Sequence, residues 1–356
     1  MSIRSFDVEE FFFLQLRGAD WQRLSAKARS TVVKRAFQYW RKRGFPHYQL
    51  SPAQISQEMF TLLRKDAQAV FSGKDLRASN AGLRLANSFQ PRMWSARVSR
   101  YLSPTQVFSD DKLLKRAIER SLTIWPNRFG ANPSCLRRML KTFPGAAGVS
   151  NYRPMFAKAI ISKYCPKDGV VLDFSAGYGG RLLGAIAANR DYIGIEPNLF
   201  QVKGFTKMAD AIAAEGFKLP TLRFLHGPAE RELPKLWKGS ADLIFSSPPF
   251  FNWEHYSRSN DQSFKQYPRY ENWLTRFLTP AIVQSYRILR VDGHLILNVT
   301  NGRRLPTPED VSSIAGRAGF RSRTIYEMVF PKVPYLHPRC DGPVKRELIM
   351  VFRKQV

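Results

Sequence analysis

The sequence predicts an α/β protein: a mostly parallel sheet flanked by helices, with a C-terminal antiparallel hairpin, preceded by a mainly helical, basic N-terminal domain. Three observations predict it. Beyond residue 150, short apolar runs alternate with segments of helical period, the pattern of strand–helix–strand units. Before it, apolar residues recur among Arg and Lys at helical spacing. The charge is also uneven: residues 1–150 carry 26 basic and 10 acidic side chains, a net of +16, and residues 151–356 carry 30 and 18, a net of +12.

The elements follow in order. Helices are expected over Trp21–Tyr39, where Trp21, Leu24, Val32, Val33 and Phe37 supply the apolar positions, and over Pro52–Ala69 and Asp111–Leu122. Pro/Gly/Ser breaks at 44–52, 103–104 and 126–134 separate them. Phe143–Ser150, with Pro144, Gly145 and Gly148, reads as a linker. It divides the 356 residues into domains 1–148 and 149–356, each near the roughly 100–200 residues of one domain. The second domain begins with a strand at Val170–Phe174, a helix at Gly180–Ala188, a strand at Tyr192–Ile195 and a helix at Leu199–Glu215. Strands at Leu222–Leu225 and Leu243–Phe245, a helix at Trp273–Leu289 and a strand at His294–Val299 continue the alternation. Arg323–Phe330 and Glu347–Phe352, joined by a proline-rich loop, would form the hairpin that closes one sheet edge.

Composition restricts the function. A hydrophobic content of 44% is ordinary for a globular protein, whereas 56 Lys and Arg against 28 Asp and Glu give a net charge of +28. That excess points to a polyanionic partner, nucleic acid before others. No apolar run approaches the ~18–20 residues of a membrane span, and the first 30 residues lack a signal-peptide pattern. Cys135, Cys165 and Cys340 are scattered and odd in number, and the five histidines show no ligand pairing. The expectation is a cytoplasmic protein with reduced thiols, no metal and no membrane partner.

Two stretches carry chemistry. The apolar run Leu243–Phe245 ends in Ser246-Ser247-Pro248-Pro249-Phe250. A buried strand ending so would form a rigid shelf: the prolines fix φ and remove two donors, leaving carbonyls that only accept. A hydroxyl and a carbonyl beside an aromatic plate can grip a planar base that bears an exocyclic amine. The other stretch, Val171-Leu172-Asp173-Phe174-Ser175-Ala176-Gly177-Tyr178-Gly179-Gly180-Arg181, runs from a strand through a Gly-rich loop into a helix. Its glycines admit positive φ and close approach of a ligand. About 20 residues on, Glu196 ends the next strand, where an acid can accept from both hydroxyls of a ribose. The pattern reads as a nucleoside site, the alternative being a tight turn followed by a surface Glu, but it is not a full dinucleotide fingerprint, because position 182 is Leu. A nicotinamide enzyme also has no use for the shelf.

Asp173-Phe174-Ser175-Ala176-Gly177-Tyr178-Gly179 followed by Ser247-Pro248-Pro249-Phe250 resembles the class I S-adenosylmethionine-dependent amino-methyltransferases of DNA. Asn151-Tyr152-Arg153-Pro154-Met155-Phe156-Ala157-Lys158, Phe251-Asn252-Trp253-Glu254-His255-Tyr256-Ser257 and Tyr270-Glu271-Asn272-Trp273 resemble further segments of phage and bacterial members, so the likeness covers roughly 150–353. The resemblance implies a Rossmann-like class I methyltransferase sheet and S-adenosylmethionine as cofactor. It implies a duplex DNA partner with the target base flipped out, as in restriction–modification methylation. Asp173, Ser175, Gly177, Gly179 and Pro154 would surround the methionine part of the cofactor, and Glu196 its ribose. Ser247 and the Pro248 carbonyl would accept from the target amine, with Pro249 stiffening the shelf and Phe250 stacking on the base; Phe251 or Trp253 would add to the pocket. The acid usual for the adenine is missing: Pro228 stands there, leaving backbone groups or Glu230.

Target recognition would fall to the N-terminal domain, the 251–272 insertion, or both. Arg41, Lys42, Arg43, Arg92, Arg97 and Arg100 would contact phosphates, with Trp94 and Tyr101 available to stack on bases. A serine before Pro-Pro leans toward cytosine N4 over adenine N6. An RNA base amine such as guanine N2 is the less favoured alternative, and a non-catalytic nucleic-acid-binding scaffold the third.

Overall fold

The computed structural model describes residues 12–77, 79–125, 127–257, 259–300, 306–329 and 346–355. They form two compact units. One draws on residues 12–47 and 94–149, the other on 48–93 with 150–329 and 346–355. The division expected at 148/149 thus takes another form, because 48–93 packs with the later residues. The reason lies in the helix Pro52–Arg64, capped by Ser51, whose buried Ile55, Met59 and Leu62 share a core with Met155, Phe156 and Leu183. Lys158 reinforces this by donating to the carbonyls of Leu62 at 3.0 Å, Leu63 at 2.8 Å and Lys65 at 2.8 Å. Amphipathic spacing shows that a helix has a buried face, not which core receives it.

The first unit is helical. Where one helix is expected over Trp21–Tyr39, two form, Gly18–Arg23 and Ala26–Arg43. Ser25 starts the second by accepting from the Ala28 N–H at 3.2 Å, an N-cap contributing about 1 kcal/mol. These helices, with Asp111–Ile124 and Pro133–Thr142, enclose Trp21, Trp40, Leu114, Ile118, Leu136 and Leu140. The Trp40 ring N–H is satisfied by the Ala131 carbonyl at 3.2 Å.

The second unit is built on a nine-stranded sheet. In chain order its strands are β1 (Phe71–Ser72), β2 (Asp75–Leu76), β3 (Val170–Asp173), β4 (Asp191–Glu196), β5 (Leu222–His226), β6 (Ala241–Ser246), β7 (Leu289–Thr300), β8 (Phe320–Val329) and β9 (Arg346–Lys354). They lie side by side as β1-β2-β8-β9-β7-β6-β3-β4-β5. Strands β3 to β7 are parallel, with Leu172 opposite Ile193 on one side and Ile244 on the other. The hairpin of β8 and β9 is antiparallel, and β9 also pairs antiparallel with β7. This is the Rossmann-like sheet with a C-terminal antiparallel hairpin that the sequence predicts. The 330–345 connection and Cys340 lie outside the described residues.

Strand alternation fills both faces. Val171, Leu243, Phe245 and Ile296 point into one core, and Leu172, Ile244, Leu295 and Leu297 into the other. All six residues of β6 are buried; its middle, Leu243–Phe245, is apolar, and its polar residues Asp242 and Ser246 are satisfied by Arg290 and Asp173. The helix expected over Trp273–Leu289 is instead Tyr270–Trp273, a π-helical turn Leu274–Leu278 and Thr279–Ile288. Pro280, which has no N–H and would clash with a preceding carbonyl in a regular helix, accounts for the wide turn.

Cys135 and Cys165 are buried and free. Among the described residues, no helix is long and apolar enough to cross a membrane, and no His/Cys/Asp/Glu group could hold a metal ion.

Candidate active site

The chain runs from β3 outward through β4 and β5, then returns to lay β6 and β7 on the other side of β3. The reversal between β3 and β6 is a switch point, where open parallel sheets leave a crevice beyond their carboxyl ends. Both motifs singled out in the sequence end there: Asp173 closes β3, and Ser247 follows β6.

The Gly-rich loop leaves β3 and enters the helix Gly180–Ala187. Gly177 and Gly179 take φ of +62° and +78°. A Cβ on Gly177 would meet only the Ser175 carbonyl, at 3.8 Å, so the space beside it is open; one on Gly179 would meet the Phe205 ring at 3.2 Å. Glu196 at the end of β4 closes the loop, accepting from the N–H groups of Gly177 and Asn198, each at 3.0 Å. The Gln201 amide, oriented with its nitrogen toward the carboxylate, reaches both Glu196 oxygens at 2.5 and 3.2 Å. Burial pushes the Glu196 carboxyl up to about 8, against the pull of the two backbone donors.

Asp173 is fully buried and accepts five hydrogen bonds. They come from Arg181 Nε at 2.6 Å and Nη2 at 3.3 Å, the Tyr192 hydroxyl at 2.8 Å, the Ser246 hydroxyl at 2.8 Å and the Ser175 N–H at 3.2 Å. A carboxylate has about four lone-pair sites, so Asp173 organises the loop and has none left for a ligand. Arg181, 4% exposed, also donates to the Ser175 carbonyl and, through Nη1, to Ser247 Oγ at 2.8 Å. Burial works against the Arg181 charge, but Asp173 outweighs it and the guanidinium stays protonated. One side chain thereby joins the glycine loop to the shelf.

Beyond Ser247 the chain turns sharply: the Pro249 carbonyl accepts from the Phe251 N–H and the Phe250 carbonyl from the Trp253 N–H, both at 2.8 Å. Phe251, at φ +41°, is 7% exposed against Tyr270 and Trp273, so it belongs to the core and not to a base pocket. Phe250 and Trp253 are half-buried. The segment then returns over the glycine loop, with the Tyr256 ring 6.2 Å from that of Tyr178 and its hydroxyl donating to Glu254 at 2.5 Å. Pro154 opens the helix Pro154–Tyr164 and is buried. Just before it, Asn151 accepts from the Gly180 N–H at 3.2 Å and donates to the Tyr178 carbonyl at 2.9 Å and to Asn87 at 3.0 Å. Glu230 accepts from the Tyr267 hydroxyl at 3.2 Å through Oε1, while its buried Oε2 has no hydrogen-bond partner among the described residues.

Sequence reasoning missed Arg181, Ser246, Tyr192 and Asn151. Arg181 did leave a trace, as the single charge in a helix otherwise of Gly, Leu, Ala and Ile. The basic residues expected to contact nucleic acid are divided. Arg92 lies in the second unit, its guanidinium 3.0 Å from the Phe200 ring centroid. The rest lie in the first. Arg41 is bound to Asp111 at 2.6 Å and to the Phe108 and Ser109 carbonyls, Arg97 donates to the Ser99 carbonyl at 2.5 Å, and Lys42, Arg43 and Arg100 are exposed. Trp94 is 6% exposed and packs on Phe45, which leaves its ring no face to offer a base; Tyr101 is 38% exposed.

No family model and no curated protein matches the chain. Solved structures that it resembles include a SAM-dependent methyltransferase from Methanosarcina mazei, 13% identical, covering 55% of this chain and 97% of that one with a TM-score of 0.38. A TehB-like SAM-dependent methyltransferase from Corynebacterium glutamicum is 19% identical, covering 58% and 90% with a TM-score of 0.36. The YcgJ protein from Bacillus subtilis is 13% identical, covering 56% and 98% with a TM-score of 0.39.

Proposed function

We propose that the protein transfers a methyl group from S-adenosylmethionine to an exocyclic amine of a base in duplex DNA, cytosine N4 or adenine N6. The observation that carries the reading is Arg181, which ties the glycine loop (Asp173, Ser175) to Ser247 at the switch point. A nucleoside-binding loop and a base-gripping shelf are then parts of one site.

The residues fit the cofactor. Gly177 leaves room beside the loop, Glu196 would take a ribose hydroxyl in exchange for the Gln201 amide, and Glu230 Oε2, without a hydrogen-bond partner among the described residues, can accept from an adenine amine. When bound, the cofactor supplies a methyl group on a positively charged sulfur. The chain's part is positioning and electrostatics. The Pro248 carbonyl accepts from the amine and turns its lone pair out of the base plane, Ser247 contacts the same edge, and the half-buried Phe250 ring covers the base face. No strong base is required, because the amine sheds its proton to water after transfer. A base in a duplex must be flipped out to reach the shelf, at a few kcal/mol. The charge of +28 favours a polyanion.

The test is to supply methyl-labelled S-adenosylmethionine with equal amounts of duplex DNA and structured RNA. Label in the DNA is expected. Label in the RNA alone would move the substrate to an RNA base amine, and label in neither would overturn the reading.

A further inference from the structure

The hydroxyl of Ser247 has a defined polarity. Its oxygen accepts from Arg181 Nη1 at 2.8 Å, and Arg181 is itself locked by Asp173 and the Ser175 carbonyl. A serine hydroxyl has one proton to donate and two lone pairs. Arg181 occupies one lone pair, and among the described residues nothing accepts the proton, in contrast to the adjacent Ser246, whose proton goes to Asp173 at 2.8 Å. A guanidinium on the oxygen strengthens the hydroxyl as a donor and weakens it as a second acceptor, because another N–H would crowd positive hydrogens onto one atom.

Resting on the methyl-transfer reading above, we propose that Arg181 sets Ser247 as a hydrogen-bond donor to the base, so that the shelf reads a donor–acceptor pair. The Ser247 O–H points to a ring nitrogen, and the Pro248 carbonyl accepts from the neighbouring amine. The edge selected is N=C–NH2, which cytosine offers as N3 with N4 and adenine as N1 with N6. The Watson–Crick edge of guanine, whose ring nitrogen beside the amine carries a hydrogen, is refused by the same pairing. A refusal of this kind is stronger than one by shape alone, because the wrong edge leaves a donor facing a donor. Arg181 acts here as a positioning residue: it does not touch the base, and it orients the group that does.

The experiment uses the full chain and duplexes carrying the native base or its deaza analogue, 3-deazacytosine or 1-deazaadenine, in which the ring nitrogen is C–H and the amine is kept. The wild-type protein and Ser247→Ala are compared by kcat/KM on each, so that the altered amine reactivity of the analogue cancels between them. The wild-type protein should prefer the native base over the analogue by about tenfold more than Ser247→Ala does, the worth of one hydrogen bond. Equal preference in the two proteins overturns the donor assignment. Arg181→Lys, with cofactor affinity confirmed by calorimetry, should show the reduced preference of Ser247→Ala; full preference there overturns the role given to Arg181. No methylation of any native duplex by the wild-type protein would instead sink the underlying methyl-transfer reading.

Discussion

At the scale of single residues, under the proposed reading, the groups that would touch the base are separate from those that would hold the cofactor. Ser247 and Phe250 lie on the shelf, so Ser247→Ala and Phe250→Ala should each lower kcat/KM by about 10- to 100-fold. Cofactor affinity, measured by calorimetry, should stay within a factor of about three; a comparable loss of affinity in Ser247→Ala would reassign the shelf. Glu196 gives a pH signature. Its carboxyl rises from 4.5 to about 8 on folding, chiefly by burial. Between those values the folded state holds a proton that the unfolded state has released, so stability falls as pH rises through that window. A ribose needs the ionised carboxylate, so cofactor affinity should climb from pH 6 to 8 and then level. Glu196→Gln should bind weakly with no such climb, and an unchanged pH profile in that variant would remove Glu196 from the ribose. The local motifs were legible because strand, glycines and acid sit in sequence order. Arg181 with Ser247 and Ser246 with Asp173 were not, since their partners are 66 and 73 residues apart and no spacing rule joins them.

At the scale of elements, two helices determine how the site is held. The helix Gly180–Ala187 starts from Gly179 at φ +78°, beside Phe205. Gly179→Val puts a β-branched side chain where L-residues rarely go. The loop should lose its shape, and cofactor binding should fall below detection in calorimetry. Gly177→Ala, whose Cβ meets the protein only at 3.8 Å, should keep the fold and weaken the cofactor, at a backbone cost of about 1–2 kcal/mol. The helix Pro154–Tyr164 holds residues 48–93 through the three carbonyl bonds of Lys158. Lys158→Met leaves those carbonyls without their donor and should cost about 2–4 kcal/mol in urea unfolding. A loss below 0.5 kcal/mol (roughly the worth of a surface change) would mean that the apolar face of Pro52–Arg64 suffices alone. Element type was readable from periodicity for strands β3 to β9 and for the longest helices, where the 2-residue and 3.6-residue patterns are strong; the helix Pro133–Thr142 and the two-residue strands β1 and β2 are too short or too interrupted to show a period. The pairing of 48–93 with the second unit was not, since amphipathic spacing does not say which core receives the face of Pro52–Arg64, and the Lys158 carbonyl partners that reinforce it leave no mark in the sequence.

At the scale of the whole molecule, a charge of +28 should make the proposed affinity for nucleic acid depend steeply on salt. The logarithm of the binding constant should fall linearly with the logarithm of salt concentration, by about 0.9 for each phosphate neutralised. The structure also sorts the basic residues for this test. Lys42 and Arg43 are exposed, whereas Arg41 is tied to Asp111 and two carbonyls. Lys42→Ala with Arg43→Ala should reduce the slope by about two while leaving stability unchanged, and Arg41→Ala should show its loss in thermal unfolding. The central claim is that the glycine loop and the Ser247 shelf form one site for methylating a base amine. It is tested most directly by incubating the protein with S-adenosylmethionine and duplex DNA, digesting to nucleosides and identifying the products by mass spectrometry. The account predicts N4-methylcytosine or N6-methyladenine, formed about 10- to 100-fold more slowly by Ser247→Ala; DNA returned without any methylated amine would contradict it.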